Sequence, residues 1–227
     1  MDAIYRTCPA GGPQGSVDGV NRIGALFYDR MLGRSQAVGL EELRREALED
    51  ARGEVLEIGA GTGLNLDAYP REGVTRLVLT EPDHAMARQI AAKASLAPAA
   101  VEVVEASAER LPFDTASFDT VVGTLVLCEV ADPAAAVEEI ARVLRPGGRY
   151  LFLEHVRSDD PRLARSQDRW AGIWKRIAGG CTCNRETLET IRGSGLDLED
   201  VRHGVFPKGP KLVRPLIFGS AVRGDVL

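Results

Sequence analysis

Several things are scarce in this chain, and each scarcity excludes something. Cysteine occurs only at positions 8, 128, 181 and 183 in 227 residues. So sparse a set in an α/β-patterned chain builds no disulfide scaffold and fits a reduced, cytoplasmic protein. Cys181-Thr-Cys183 lacks the two-residue spacer of a zinc knuckle and has no second pair. The three histidines, 84, 155 and 203, are scattered, so no metal site is expected. No apolar run approaches the roughly 20 residues of a membrane span. The first residues, "MDAIYRTCPAGGPQGSVDGV", have no basic start and no apolar middle, unlike a secretory signal. Positive charge is not in excess either. Lys and Arg number 28 against 33 Asp and Glu, a net charge of −5. A nucleic-acid partner needs a basic face, so none is expected.

What is present is an ordinary globular composition, 44% hydrophobic and 27% charged. The length suits one α/β domain with a lid. Residues 1–20, rich in Gly and Pro, are expected to be a flexible segment, and 21–227 a single domain. "RIGALFYDRML" and "GLEELRREALED" carry apolar residues at helical spacing. Strand-like runs then alternate with helices: "EVLEI" (54–58), "RLVLT" (76–80), "VEVVEA" (101–106), "FDTVVGTLVL" (118–127) and "RYLFLEHV" (149–156). Between them lie "DHAMARQIAAKA" and "DPAAAVEEIARVL". That alternation predicts a doubly wound, mostly parallel sheet covered on both faces. The helix at 132–144 is capped by Asp132, opened by Pro133 and stopped by "RPGG". After residue 156 the pattern loosens. "NRETLETIRGSG" reads as a helix with Asn184 before it and Gly193 after it. "LEDVRHGVF" and "RPLIFGSAV" read as antiparallel edge strands. Trp170, Trp174, Ile173 and Ile177 read as core or lid packing.

"VLEIGAGTG" carries the first chemistry. A nicotinamide-binding turn would need its third glycine at position 64, which is Leu64; here the glycines fall at 59, 61 and 63. They still allow a sharp strand-to-helix crossover with a ligand against bare backbone. Glu57 ends the strand two residues earlier. A carboxylate there repels a pyrophosphate and attracts an ammonium. Glu81 ends the next strand, where an acid can take both ribose hydroxyls. A glycine turn between an acid for an ammonium and an acid for a ribose is the footprint of S-adenosylmethionine (SAM).

At this point the chain resembles the class I SAM-dependent methyltransferases, over roughly residues 20–156 and on four motifs in order: "VLEIGAGTG", "LVLTEPDHAMA", "EASAERLPFDTASFDTVV" and "ARVLRPGGRYLFLEH". The resemblance implies a Rossmann-like seven-stranded sheet with a helical lid, and SAM as cofactor. It implies Glu81 as the ribose ligand, with Pro82 beside it. In the third motif the family often has Asp-Ala; here Ser107-Ala108 stands there, followed by Glu109, with Ser107 a weaker partner for the adenine amino group. Thr124 and Leu125 in "TLVLCEV", and Tyr28 upstream, complete the candidate cofactor contacts.

Methyl transfer from a sulfonium is an in-line displacement that the enzyme chiefly has to align. A base is needed only where the nucleophile arrives protonated, and a thiol, with a pKa near about 8.5, needs little help. Candidates lie at the carboxyl ends of the fourth and fifth strands. His155 is the best candidate base, because imidazole titrates near neutrality; it can equally be a hydrogen-bonded wall of the pocket. Cys128 is a second candidate, or a small buried hydrophobe. Glu154 reads as half of an ion pair.

The tail narrows the resemblance. "GGCTCNRETLETI" and "KLVRPLIFGSAV", with "TLVLCEV" and "LEHV", look like the methyltransferase-like thiol S-methyltransferases, extending the match to about residues 22–222. Animal members begin with a membrane anchor; its absence here implies a soluble, bacterial-type relative. The resemblance implies a small lipophilic thiol as acceptor, with residues 157–183 covering it. Arg185 and Arg214 are shared positions, Arg185 placed to tie to Glu186 or Glu189 and Arg214 to brace the last strands. O- or C-methylation of a phenol or quinone precursor, and a SAM-binding protein that transfers nothing, remain alternatives. No Asn-Pro-Pro-Tyr-like clamp for a planar amine follows the fourth strand.

Overall fold

Short runs of β-branched residues alternating with amphipathic helices give three layers in the computed structural model, which describes residues 4–7 and 39–224. Among those residues the strands are β1 (Ile4–Thr7), β2 (Gly53–Ile58), β3 (Val74–Thr80), β4 (Val101–Glu105), β5 (Phe118–Thr124), β6 (Leu144–His155), β7 (Leu196–Val205) and β8 (Pro215–Arg223). They form one sheet in the order β1-β4-β3-β2-β5-β6-β8-β7. The pairs from β1 to β6 are parallel, and β8 is antiparallel to both β6 and β7. The helices are α1 (Glu41–Leu48), α2 (His84–Lys93), α3 (Pro133–Val143), α4 (Pro161–Ile177) and α5 (Thr187–Arg192). Helices α1, α2 and α4 bury Leu48, Ile90 and Trp174 with Val55, Leu77 and Leu153 of one sheet face. Helices α3 and α5 bury Ile140 and Ile191 with Leu56, Val78 and Phe152 of the other. The doubly wound arrangement expected from the alternation is present.

Several details differ from the sequence reading. The sheet has eight strands, not seven. The extra one, Ile4–Thr7, falls within the segment expected to be flexible and pairs in parallel with β4 from Ile4↔Glu102 to Thr7↔Glu105. Its β-favouring Ile and Tyr explain the strand, and the Tyr5 hydroxyl bonds the Glu105 carboxylate. Tyr28 and the expected helix "RIGALFYDRML" lie outside the described residues. The late strands were both expected at an edge; β7 alone is, and β8 runs between β6 and β7.

The region after residue 156 is not loose. Asp160 accepts from the Arg162 amide and Pro161 starts α4, which runs for 17 residues. Gln167 is buried in its middle, with Nε2 at 3.1, 2.8 and 2.9 Å from the carbonyls of Val156, Cys183 and Leu212. That side chain pins the helix over the end of β6. The expected packing role holds for Trp174 alone: Trp170, Ile173 and Ile177 are 45%, 54% and 47% exposed, because helical spacing turns them away from the buried Ala164–Gln167–Trp174 face. Asp132 and Pro133 open α3 as expected. Asn184 does not cap α5; its amide donates to Asp168 Oδ1 (3.0 Å), tying the loop to α4 instead.

Candidate cofactor and acceptor site

The chain runs outward from β2 through β3 to β4 in one direction and from β5 to β6 in the other. The crevice at the carboxyl ends of β2 and β5 is where open α/β sheets bind ligands. The glycine turn sits there. Gly59, Gly61 and Gly63 have φ of 56°, 57° and 77°, the left-handed region that side chains resist. A Cβ on Gly59 would stand 2.8 Å from the Val126 methyls, and one on Gly63 2.9 Å from Leu66 Cδ1. Those two glycines let the backbone pack. A Cβ on Gly61 would meet nothing within 4 Å, so the backbone there is an open cradle. The turn does not lead into a helix as expected. Residues 61–68 are successive turns, closed by the Gly63 amide on the Ala60 carbonyl (2.9 Å) and the Ala68 amide on the Asn65 carbonyl (2.9 Å).

Glu81 leans across this turn. Its carboxylate accepts from the Gly61 amide at 2.8 Å and the Asp83 amide at 3.0 Å. Burial raises its pKa, against those two amides, which lower it. Each carboxylate oxygen keeps a second lone pair, the requirement for taking a vicinal diol. Pro82 follows on the surface.

Glu57 departs from expectation. It is 2% exposed, and its two oxygens accept from Asn65 Nδ2 (2.9 Å) and the Tyr69 hydroxyl (2.6 Å). It does not present an open carboxylate for an ammonium. It anchors a buried polar network instead. Arg44, 4% exposed, donates through one nitrogen to Asn65 Oδ1 (2.7 Å) and Thr124 Oγ1 (2.8 Å), and Asn65 also donates to Thr124 Oγ1 (2.9 Å). Burial raises the Glu57 pKa to about 7, opposed by Tyr69, Arg44 and Asn65. The network binds α1, the turn and the end of β5 into one rigid floor. Arg44, Asn65 and Tyr69 were missed from sequence. A signal existed: Arg44 interrupts Leu40 and Leu48 on one helical stripe, and a cation on an apolar face needs a buried partner.

Ser107 donates to the Glu109 carboxylate, and Glu109 in turn accepts from the Ala131 amide at 2.9 Å. The pair ties the loop after β4 to the loop after β5. Ala108 is 5% exposed and packs into the core.

The other half of the site surrounds the ends of β5 and β6. Strand β5 stops at Thr124, three residues earlier than the apolar run suggests, because Leu125 takes φ 61° and the chain then wraps around Glu154. Glu154 is fully buried and accepts from three consecutive amides, Val126 (2.9 Å), Leu127 (2.8 Å) and Cys128 (3.3 Å). It is a carboxyl held in a backbone nest, not half of an ion pair. Burial raises its pKa to about 8, against those three bonds. Arg185 closes the same loop from outside, donating to the Leu127 carbonyl and to the Val130 carbonyl (2.7 Å), not to Glu186 or Glu189. Arg214 braces the turn before β8 through the Gly209 carbonyl (3.0 Å).

For both Cys128 and His155 the geometry favours the second of the two readings that the sequence offered. Cys128 is wholly buried, its thiol contacts Cys181 and donates to the Leu125 carbonyl (3.4 Å), and its pKa is raised by the Cys181 contact and by burial. A thiol held protonated in the core is packing, not a nucleophile. His155 does not titrate near neutrality: burial lowers its pKa to about 4, while the carbonyls of Val213 and Pro215 accept from its ring. At pH 7 it is neutral, with Nδ1 buried and unpartnered, and its ring packs on Phe206 at 4.9 Å between centroids. The indole N–H of Trp174 is likewise buried without a partner.

The comparisons with known proteins agree with this geometry. A methyltransferase domain family matches residues 56–152. The thiol S-methyltransferase TMT1B of Mus musculus is 30% identical over 208 residues, 87% of this chain and 85% of that protein. The ubiquinone/menaquinone biosynthesis C-methyltransferase UbiE of Roseobacter denitrificans is 30% identical, over 83% of this chain and 80% of its own. This chain belongs to the class I SAM-dependent methyltransferases. An S-adenosylmethionine-dependent methyltransferase from Mesorhizobium loti shares the fold, with a TM-score of 0.61 at 17% identity, over 85% of this chain and 100% of that one. As in that family, SAM is the methyl donor, and the open backbone at Gly61 beside the Glu81 carboxylate fits it. The chain is therefore an enzyme. No described helix is long and apolar enough to cross a membrane.

Proposed function

We propose that this methyltransferase acts on a small lipophilic thiol. The observation that carries the reading is the surroundings of the β6 end: a neutral His155 stacked on Phe206, which shares a buried apolar cluster with Trp174 and the cysteines. An acceptor that ionises readily suits such surroundings, and a thiol does so near about pH 8.5. The extended likeness to a thiol S-methyltransferase supports it.

In this reading Glu81 holds the ribose of SAM and the Gly61 backbone lies against its methionine portion. Ser107, with Glu109, meets the adenine edge. Leu125 and Thr124 line the crevice beside the reacting carbon. Glu57 acts through Asn65 and Thr124, holding the floor in place without touching the ligand. Bound SAM supplies an activated methyl group, and the protein supplies alignment and exclusion of water. His155 Nδ1 accepts the S–H hydrogen bond and orients the sulfur, and the proton leaves to solvent. Residues 157–183, chiefly α4, cover the acceptor. The described cysteines are all free, in keeping with a reducing, cytoplasmic location.

A C-methyltransferase acting on a quinone precursor is the second reading, favoured by the likeness to UbiE. The test is product mass with an alkyl thiol, an aryl thiol, a catechol and a naphthoquinol. Methylation confined to thiols is expected. Transfer to oxygen or carbon with thiols untouched overturns the proposal.

A further inference from the structure

Helix α4 has a second face that the core does not use. Trp170, Ile173 and Ile177 are each about half exposed, and spacings of three and four residues put them on one side of the helix. Arg162, Arg169 and Arg176, also exposed, follow each other at seven-residue intervals and form a line beside that stripe. The helix also carries Arg165 and Lys175, and its one acid, Asp168, is paired with Arg157 at 2.9 Å. The whole chain has a net charge of −5, so this basic, tryptophan-bearing helix stands against the trend of the molecule.

Its position adds a second observation. Val205, 64% exposed, ends β7. The register Val205↔Pro215 and His155↔Leu216 places it at the same end of the sheet as His155. Exposed Lys208 and Lys211 follow on the loop that α4 grips through the Leu212 carbonyl, 2.9 Å from Gln167 Nε2. Exposed apolar and basic groups thus lie on α4, at the end of β7 and on the loop that α4 grips, along the edge of the molecule beside the carboxyl end of β6.

We propose that this edge docks on a bilayer surface bearing anionic headgroups. Trp170, Ile173 and Ile177 enter the boundary between headgroups and acyl chains, and the arginine line pairs with lipid phosphates. An indole has both the apolar body and the polar N–H that suit that boundary. A second copy of the chain fits less well, since a two-fold contact through this stripe brings one arginine line toward the other. The proposal goes beyond the methyl acceptor, and binding is read without any transfer, so the two readings fail independently.

The test uses the full chain with two sets of vesicles, phosphatidylcholine alone and phosphatidylcholine with one quarter phosphatidylglycerol. The chain has two tryptophans, so W174F makes Trp170 the single reporter. The expected result is co-sedimentation with the anionic vesicles, a blue shift of Trp170 emission on adding them, and loss of both as salt is raised. I173S/I177S abolishes sedimentation. Each of R162S, R169S and R176S weakens it about fivefold, with circular dichroism unchanged. No sedimentation of the unmutated chain at low salt overturns the proposal, as does undiminished sedimentation of I173S/I177S. A dimer seen by light scattering that dissociates in I173S/I177S, with no vesicle binding, overturns it in favour of a second copy.

Discussion

The two sides of the crevice satisfy their polar groups to different degrees. On the cofactor side, Glu57, Glu81, Asn65, Tyr69 and Thr124 all have protein partners before any ligand arrives. On the acceptor side, His155 Nδ1 and Trp174 Nε1 are buried and have none. A buried polar atom without a partner costs about 1–3 kcal/mol, so a fold keeps one only where something else is gained. A side that always receives the same molecule can be pre-built and rigid. A side that receives the acceptor holds its donor and acceptor atoms open.

The sharpest break of that contrast is Gly61→Val. The added Cβ meets no protein atom within 4 Å, so the side chain would occupy the cradle, and it must also adopt φ near 57°. SAM affinity is expected to fall more than about 100-fold, while the left-handed strain costs about 1–2 kcal/mol of stability. Calorimetric titration beside a thermal melt separates the two. Unchanged affinity would sink the assignment of the cradle. Glu81→Gln comes next. It keeps the shape but offers one acceptor oxygen where there were two, so SAM binding should weaken about 10- to 100-fold, in line with the loss of a charge-assisted bond.

The buried carboxyls and the buried histidine predict opposite dependence on pH. Glu57 and Glu154 have folded-state pKa values raised from 4.5 to about 7 and about 8. A carboxyl raised in this way binds its proton more tightly when folded. Its contribution is complete below the unfolded pKa and is lost as pH rises through the folded one. His155, lowered from 6.5 to about 4, acts in the other direction, its contribution growing from pH 4 to 6.5 and constant above. Between pH 6.5 and 8 only the carboxyls remain, so stability should fall there by about 2 kcal/mol, and Glu154→Gln should flatten the slope. A melting temperature level across that window in the unmutated chain contradicts the account of Glu154.

His155 sharpens the contrast from the acceptor side. If it accepts a hydrogen bond and does not take the proton, kcat/KM rises with ionisation of the thiol toward about pH 8.5 and shows no break near 6.5. His155→Ala should lower kcat/KM about fivefold, the worth of one neutral hydrogen bond. A break near pH 6.5 that disappears in the variant would restore the general base.

Much of this was legible in the sequence, and the exceptions share a cause. The glycine turn, Glu81, the caps of α3 and the alternation of strands and helices are local signals, and each stands where the residues implied. The roles of Glu57 and Glu154, and the choice between base and wall for His155, are not local signals, because burial sets them and burial comes from other segments: α1 over Glu57, the turn at Val126–Cys128 over Glu154, and Phe206 with Val213 over His155. Strand β5 was drawn too long for the same reason, since Glu154, 30 residues beyond the strand's end at Thr124, is what turns the chain at Leu125. The N-terminal strand was hidden because four residues in a Gly/Pro-rich stretch carry too little pattern to outweigh their surroundings.

The smallest effect is expected at Cys128, and it tests whether the acceptor wall is chemistry or packing. The thiol is wholly buried against Cys181 and the Leu125 carbonyl, with a raised pKa. Cys128→Ala removes one sulfur from a core that cannot fully close over the gap, for about 1 kcal/mol of stability. It leaves the amide that Glu154 holds, so the loop after β5 keeps its course, and kcat/KM should change by less than about threefold. The melt and the rate therefore discriminate. A modest drop in melting temperature with near-normal turnover is what packing requires. A fall in turnover of about 100-fold at an unchanged melting temperature would place the thiol at the reacting atoms, and the acceptor side would then be a second pre-built chemical site and not an open one.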